Sequence, residues 1–389
     1  MEIEDPPGHG RAMNYDGLTG AVGPGDRVLL NTTAVSLGLG SGGYHFVLAV
    51  PGRERRDLTG PGHIMKLRYT PLQIRCLAVE EEAHPAHAQV AAARDLGGMV
   101  VIAGCLHSQL APTVAGLRAA MSPPPRVAYV MTDGGALPLA FSRTVAELAE
   151  RGWLNATITS GHAFGGDYET VNLYTALLCA AAVVRAHVAV VAMGPGVVGT
   201  GSTYGFTAIE QGEIVDRVNL LGGRPVAALR ISFADSRSRH RGVSHHCLTA
   251  LGKVARTRGV IAVPRLPRGQ AALVRRQLEE AGLAGRHTLA GAAGEAALAC
   301  LEQEGLEVAT MGRDAGQDPA FFLAAGAAGA VAARLVAQAG GEVVDRNGLP
   351  GEAPHGEGAR DHVGFRPESF PGSCRAPRGG RPGAGHQRR

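Results

Sequence analysis

From about residue 86 onward, short apolar runs alternate with segments of helical periodicity. Gly follows two of the helical segments, 145–151 and 271–281, as is common at helix ends. The alternation predicts a mostly parallel, doubly wound (Rossmann-like) α/β sheet. A (β/α) barrel is the alternative, since about eight strands in roughly 250 residues would also suit it. The runs typical of buried strands are 99–103, 126–131, 156–159, 188–193, 226–232, 260–263 and 306–311.

The first part of the chain has a different pattern, in which short apolar runs are broken by glycines between residues 38 and 43. This pattern is typical of strands, and it predicts a small β-rich, barrel-like domain in front of the α/β body. Three consecutive glutamates at 80–82, followed by Pro85, indicate a boundary. We therefore divide the chain into an N-terminal extension (1–12), a β-rich domain (13–82), an α/β domain (83–345) and a Gly/Pro/Arg-rich tail (346–389) that is expected to be disordered.

The formal net charge of +4 belongs to the tail, which carries eight Arg and four acidic residues, so the body is neutral overall. Its charge therefore gives no reason to expect a nucleic-acid partner for the folded body. The six cysteines are scattered without a CxxC pair, and the N-terminus lacks a basic and an apolar signal region. The apolar stretch 177–198 is interrupted by Arg185 and His187, and 320–333 is too short to span a bilayer. We expect a cytoplasmic protein without a membrane partner, which could form a homo-oligomer.

The loops that follow the predicted strands are unusually polar, and ligands of parallel α/β folds bind at the carboxyl ends of strands. A site at this edge of the sheet is therefore expected. Histidine is the natural acid or base near neutral pH, and neighbouring carboxylates can orient it. The candidate catalytic residues are His107, Asp133, His162, Asp235 and His245.

Residues 194–199 match G-x-G-x-x-G directly after a predicted strand. The segment that follows is a poor helix start, and the first acidic residue at a later strand end, Asp235, lies beyond the spacing of a dinucleotide fingerprint. A Gly-rich turn that only permits close packing is at least as good an interpretation. The loop could still hold an anion through backbone N–H groups and hydroxyls. Its candidate residues are Gly194, Gly196, Gly199, Thr200, Ser202 and Thr203.

Arg237, Arg239 and Arg241 alternate along the most distinctive segment. In an extended loop they would project to one side, and guanidinium groups suit phosphate or carboxylate. Ser244 is the expected N-cap of the following helix. A solvated loop whose arginines pair with acids such as Asp235 is the structural alternative. Lys66, one of only two lysines, is a further candidate for the anion.

A metal site has weaker support. Adjacent residues on a helix diverge by about 100°, so His245 and His246 are not expected to face one ion together. Asp167, Glu169 and His246 are the remaining metal candidates, without any HExxH, HxH or CxxC spacing. The cofactor is left unknown: a divalent metal is conceivable, and NAD or FAD is less favoured.

Four motifs resemble an uncharacterised bacterial family, DUF3866. They are Gly25-Asp-Arg-Val-Leu-Leu-Asn-Thr-Thr-Ala, Gly42-Gly-Tyr-His-Phe-Val, Met65-Lys-Leu-Arg-Tyr-Thr-Pro-Leu-Gln and Arg239-His-Arg-Gly-Val-Ser-His-His. The resemblance extends from about residue 15 to 339. It implies that the β-rich start and the α/β body form one unit, and it implies no activity.

These patterns favour an enzyme, a hydrolase or group transferase, that acts on a small phosphorylated or otherwise anionic substrate. Two alternatives stay open. One is a non-catalytic protein that senses a nucleotide or metabolite through the same loops, and the other is a dinucleotide-dependent oxidoreductase.

Overall fold

The computed structural model describes residues 2–4, 7–53 and 61–340. The predicted tail therefore lies outside the described residues. The N-terminal region contains three small sheets and no closed barrel, as far as the described residues show. Short helices connect the strands of the three-stranded sheet. The elements are β1 (Glu2–Glu4), β2 (Pro7–His9), β3 (Arg11–Met13), α1 (Asp16–Thr19), β4 (Leu29–Asn31), α2 (Thr33–Ser36), β5 (Tyr44–Ala49), β6 (Ile64–Lys66) and β7 (Ile74–Cys76).

The body alternates strands and helices, as the hydrophobic pattern predicts. Its strands are β8 (Val100–Ala103), β9 (Val127–Thr132), β10 (Ala156–Ser160), β11 (Tyr168–Thr170), β12 (Val188–Met193), β13 (Arg224–Ala228), β14 (Ile231–Ser232), β15 (Gly242–Val243), β16 (Val260–Pro264), β17 (Thr288–Ala292), β18 (Ala309–Thr310) and β19 (Arg313–Asp314). Its helices are α3 (His87–Ala92), α4 (Leu110–Ala120), α5 (Arg143–Glu150), α6 (Leu173–Leu178), α7 (Glu210–Leu220), α8 (His245–Thr249), α9 (Arg268–Glu280), α10 (Leu283–Arg286), α11 (Glu295–Gln303) and α12 (Pro319–Gly340).

Eight of these strands form one parallel sheet in the order β11-β10-β9-β12-β8-β13-β16-β17. Every residue of β8, β9 and β12 is buried, because helices cover both faces of the sheet. One hydrophobic cluster packs α4, α5, α11 and α12 on one face, and a second packs α6, α7, α8 and α9 on the other. The predicted doubly wound α/β sheet is confirmed, and the described residues contain no closed barrel.

The strand order creates a crevice beside β8. From β8 the chain continues to β9, whereas from the neighbouring β13 it continues to β16 in the opposite direction. Loops that leave two adjacent parallel strands in opposite directions open a cleft at the carboxyl edge, where α/β proteins bind ligands. The loops after β12 and β13 lie beside this point.

Two edge strands and one hairpin differ from the prediction. The run 306–311 is not a strand of the main sheet, since β18 pairs only with β19 in an antiparallel hairpin. The sheet instead gains β11 and β17, which the hydrophobic pattern missed. β17 is an edge strand whose residues are mostly exposed, so little apolar sequence is needed there.

The apolar stretch 320–333 is part of a helix that extends beyond it at both ends. Helix α12 has 22 residues and is the only described helix of sufficient length and apolar composition for a membrane span, although 67% of its apolar window is buried. It packs against α4 and the central strands. Glycines permit this contact: a Cβ on Gly329 would lie 2.1 Å from the carbonyl oxygen of Thr113. A packing role explains its Ala/Gly-rich composition.

Candidate functional site

A small cavity lies over the carboxyl ends of β12, β8 and β13. Its volume is about 90 Å³. The loop after β12, the loop after β13 and the start of α8 form its walls, so the predicted Gly-rich and Arg-rich segments meet here. The lining residues are Val197, Gly199, Thr200, Arg230, Arg237, Arg239, His240, His246 and Met311.

Three imidazole rings cluster at this cavity. One ligand nitrogen from each of His240, His245 and His246 lies within 4.8 Å of the others. Ring centroids of His245 and His246 are 4.4 Å apart, and each is 5.0 Å from that of His240. The expectation that adjacent His245 and His246 would not face one site together is therefore wrong. Both rings turn toward the turn that carries His240, which lies just before β15.

The sequence placed His246 among the weak metal candidates and did not single out His240. A short 3₁₀ turn, Ser238–His240, delivers the ring of His240 to the cluster. Ser244 lies 2.8 Å through Oγ from Nδ1 of His240 and also accepts a hydrogen bond from the N–H of His246. The predicted N-cap at Ser244 is thus confirmed, and the same hydroxyl orients one of the rings. The signal in the sequence was the spacing H-x4-H-H.

Burial keeps these imidazoles neutral. Desolvation lowers the pKa of His240 to about 3 and that of His246 to about 3, with nearby cationic and imidazole groups adding to the shift. The pKa of His245 is also lowered, first by burial and then by Arg239. Nε2 of His245 and both ring nitrogens of His246 are buried and have no hydrogen-bond partner among the described residues. The cluster therefore contains nitrogen lone pairs that accept no hydrogen bond from the described residues.

Asp235 organises the arginines around the cluster. Its carboxylate lies 3.2 Å from Arg230 and 2.8 Å from Arg237, and Arg313 approaches to 3.8 Å. Hydrogen bonding to Arg237 holds the pKa of this buried carboxyl well below its usual range. Asp235 is therefore ionised and holds the arginines in place, and it does not act as an acid or base. This agrees with the structural alternative, in which the arginines of this loop pair with Asp235. Arg313 also pairs with Asp318 at 3.2 Å.

The three alternating arginines do not point to one side. The 3₁₀ turn rotates them, so that Arg237 and Arg239 line the cavity while Arg241 does not. The backbone carbonyl of Arg241 accepts a hydrogen bond from the Gln277 side chain. Arg239 is exposed and has no carboxylate partner among the described residues. Arg230, which the sequence analysis did not single out, is buried and takes the third place at the cavity.

The Gly-rich loop is explained by close packing. A Cβ on Gly194 would lie 2.2 Å from the carbonyl oxygen of Ala136, and one on Gly199 would lie 2.9 Å from Cε1 of His246. Gly196 has φ = +97°. The loop does not open a helix, since α7 starts only at Glu210. The glycine spacing therefore serves loop packing and the position of His246, in a geometry unlike that of a dinucleotide fingerprint.

The hydroxyls of this loop bind each other. Thr200 Oγ1 lies 2.8 Å from Ser202 Oγ, and both bond to the backbone of Gly205. Thr200 lines the cavity, whereas Ser202 and Thr203 are exposed outside it. Only Gly199 and Thr200 of the predicted cradle thus reach the cavity.

His107 lies in a different environment. Its Nδ1 is 3.0 Å from the hydroxyl of Tyr129, and its Nε2 is 2.6 Å from Oγ of Ser142, the N-cap of α5. Burial lowers its pKa to about 4. Both ring nitrogens are used inside the protein, so the structure places His107 in the packing between β9 and α5.

Asp133 and His162 meet each other away from the cavity. The N–H of His162 donates to Asp133, and Nδ1 of His162 accepts from the N–H of Leu67. Both residues follow strands on the other half of the sheet. Strand β10 is four spacings from β13, roughly 19 Å at about 4.8 Å per spacing. The structure therefore does not bring this pair to the histidine cluster.

Lys66 is buried inside the protein. Its ammonium donates to the carbonyls of Thr159 and Ala163 and to the carboxylate of Glu169, at 2.6–3.2 Å. These contacts use all three N–H donors, so none is left for an anion. Asp167 accepts from the backbone and hydroxyl of Thr157. Lys66, Asp167 and Glu169 thus fix the N-terminal hairpin and β11 to the edge of the sheet.

Glu210 is a titratable group that the sequence analysis missed. It begins α7 and accepts a hydrogen bond from Thr132 at 2.7 Å. Burial raises its pKa to about 7. A larger groove of about 490 Å³ lies elsewhere, along the outer side of α7, where Asp216 caps backbone N–H groups of Arg256 and Thr257. It contains none of the predicted site residues, so we place the site at the smaller cavity.

Comparison with known proteins agrees with the resemblance. A family model described as a protein of unknown function (DUF3866) matches residues 11–329. The chain belongs to the DUF3866 family. No curated protein and no solved structure matches this DUF3866 protein. The match begins after the β1–β2 sheet and spans the other N-terminal sheets and most of the α/β body, including the whole cavity. The division into a β-rich and an α/β domain stays a prediction.

Proposed function

We propose that this DUF3866 protein is an enzyme, a hydrolase or group transferase, that acts on a small anionic substrate in the cavity beside β8. One observation carries the proposal: arginine side chains and unpaired imidazole nitrogens line the same small cavity at the switch point of a parallel sheet. Such convergence of polar groups is the usual mark of a site in this fold.

The charges at the cavity favour an anion. Three arginines, Arg230, Arg237 and Arg313, form ion pairs with only two carboxylates, those of Asp235 and Asp318. One positive charge is therefore not neutralised. Arg239 adds a further positive charge at the rim. An anionic group would supply the missing negative charge, and guanidinium groups bind phosphate and carboxylate through paired N–H donors.

The two cavity arginines from the turn have different roles in this proposal. Asp235 accepts hydrogen bonds from both Nε and Nη2 of Arg237, at 2.9 and 2.8 Å, so this side chain is held in place before a ligand binds. Arg239 is exposed and free to close over the ligand. The fixed arginine orients the anion, and the free one increases its affinity.

The volume limits what can enter. A space of about 90 Å³ accommodates an anionic head group but not a dinucleotide. Drug-sized ligands occupy pockets of roughly 300–1,000 Å³. The remainder of a larger substrate would therefore extend past Arg239 into solvent. This observation and the loop geometry after β12 both argue against the oxidoreductase alternative.

The proposal keeps a small anionic molecule as the partner, rather than nucleic acid or a membrane, and a cytoplasmic location. The described cysteines, Cys76, Cys105, Cys179, Cys247 and Cys300, are all free thiols, which supports a reducing compartment.

The test is anion binding by the full-length protein, measured by calorimetry with inorganic phosphate. Arg239→Ala should weaken binding roughly 10- to 100-fold, as expected for loss of a charged hydrogen bond. Arg241→Ala is the matched control, since it lies two residues away, is also exposed and does not line the cavity. Equal affinities of the two variants would contradict the site. Turnover of phosphate esters then separates an enzyme from a sensor, which would bind without converting them.

A further inference from the structure

The histidine cluster has a feature that anion binding leaves unexplained. Buried imidazole nitrogens without partners cost free energy, and three such nitrogens lie at His245 and His246. The neighbouring arginines make no hydrogen bond to these nitrogens. An ion that accepts electron pairs can bind one nitrogen of each ring. We propose that His240, His245 and His246 bind one divalent transition-metal ion of the Zn²⁺ type, with the open coordination position facing the cavity.

The geometry suits a three-histidine site. Zn–N bonds of about 2.0–2.1 Å place tetrahedral ligand nitrogens roughly 3.4 Å apart. The three nitrogens already lie within 4.8 Å of one another, so each pair has to approach by at most about 1.4 Å to bind one ion. Nitrogen ligands favour Zn²⁺ and its neighbours over Mg²⁺ and Ca²⁺, which prefer oxygen.

The groups that surround the three imidazole rings hold them in one orientation, as protein groups around a metal site hold its ligands. Ser244 occupies Nδ1 of His240, which leaves Nε2 for the ion. Phe206 stacks on His246 with ring centroids 4.1 Å apart, and Gly199 lies against the same ring. Groups that hold ligand side chains in one orientation raise metal affinity.

The nearby arginines do not exclude a cation. Asp235 is ion-paired with Arg230 and Arg237, and its negative charge offsets part of their effect on the histidines. The surplus positive charge, together with that of the ion, selects an anionic fourth ligand. This part rests on the proposed function: an oxygen of the anionic substrate would lie between the metal and Arg239.

The full-length protein is first stripped with a chelator and then titrated with Zn²⁺ against a chromophoric competitor. One equivalent should bind, and Co²⁺ in its place should give the visible absorption of a four-coordinate ion. His240→Ala, His245→Ala and His246→Ala should each bind at least about 100-fold more weakly. His9→Ala, at an exposed histidine, is the control and should retain the wild-type affinity. Sub-stoichiometric binding to the wild-type protein overturns the site, whatever the folding of the variants.

Phosphate titrations of stripped and Zn²⁺-loaded protein separate the two proposals. Tighter phosphate binding by the loaded protein supports both. Equal binding by the two forms, still lost in Arg239→Ala, keeps the proposed function and overturns the metal–substrate contact. Binding of one Zn²⁺ without any phosphate binding keeps the metal site and overturns the proposed function.

Discussion

The ring of His246 lies flat on the ring of Phe206, with centroids 4.1 Å apart and an interplanar angle of 6°. Phe206 comes from the loop after β12, whereas His246 belongs to α8, so this contact joins two of the segments that form the cavity. The stacked ring limits rotation of the imidazole and keeps water from one of its faces.

Replacing Phe206 with Leu should weaken Zn²⁺ binding by about tenfold, because a branched aliphatic side chain fixes the His246 ring less well. Competition with a chromophoric chelator measures the affinity. Tyr204→Leu, at an exposed position in the same loop, should leave it unchanged. Equal affinity of wild-type protein and Phe206→Leu would show that the stacking does not orient a metal ligand.

Gly199 also lies against the His246 ring, so a substitution there is a second test of the orientation of this ring. In Gly199→Ala, the new Cβ would lie 2.9 Å from Cε1 and 3.0 Å from Nε2 of His246, so the imidazole must move. We expect a loss of about 1–3 kcal/mol in the free energy of unfolding, typical of overpacking, together with weaker Zn²⁺ binding. Urea denaturation and metal titration provide the two measurements. Gly201→Ala is the control, since a Cβ there meets nothing within 4 Å.

Lys66 should matter for stability and not for ligand binding. Lys66→Met leaves the Glu169 carboxylate with hydrogen bonds from Thr159 and Gly165 but without its cation. Removal of one partner of a buried ion pair costs roughly 3–5 kcal/mol. Denaturation by urea measures the loss.

The double variant Lys66→Met/Glu169→Gln should recover part of that stability, because the uncompensated charge is gone. Phosphate affinity of the folded Lys66→Met protein should equal that of the wild type. A selective loss of phosphate binding would instead return Lys66 to the anion site that the sequence suggested.

Glu210 should make stability depend on pH near neutrality. Burial raises its pKa from 4.5 to about 7, so the folded state holds this proton more tightly than the unfolded state. The stabilisation is therefore fully present below pH 4.5 and is lost as the pH rises through about 7. The shift corresponds to at most about 3 kcal/mol.

Glu210→Gln should remove this contribution while its amide oxygen still accepts from Thr132. Urea denaturation at several pH values between 5 and 8 should show a flatter dependence for the variant. The same slope in both proteins would contradict the assignment.

The sequence predicted what depends on local pattern. Continuous apolar runs identified β9, β12 and β16, because central parallel strands are buried on both faces. β17 was missed because an edge strand needs no such run. The polar loop after β13 correctly pointed to the carboxyl edge, and Arg237, Arg239, His245 and His246 do lie there. His162 and Asp133 lie on other strands, and their distance follows from strand order, which no local pattern contains.

A helical-wheel argument could not predict the convergence of His245 and His246, and the reason is physical. Helix α8 has only five residues, and its first turn follows a short strand, so ring directions are set by side-chain rotation and by packing on Phe206. His240 enters through a 3₁₀ turn, where helical spacing does not apply. Lys66 shows the reverse case, in which an isolated cation in the sequence serves an internal ion pair.

All three histidines lie within seven consecutive residues, and the antiparallel pair β14–β15 returns the chain to the edge of the sheet just before α8. Bringing the three rings together therefore closes only a very short loop, whose entropic cost is small. Phe206, Gly199 and Arg230 reach the same point from other parts of the chain and need the folded sheet. A peptide containing residues 240–246 would thus carry the three imidazoles but not their orientation, and any selectivity of this site for its ligand has its origin in the tertiary fold.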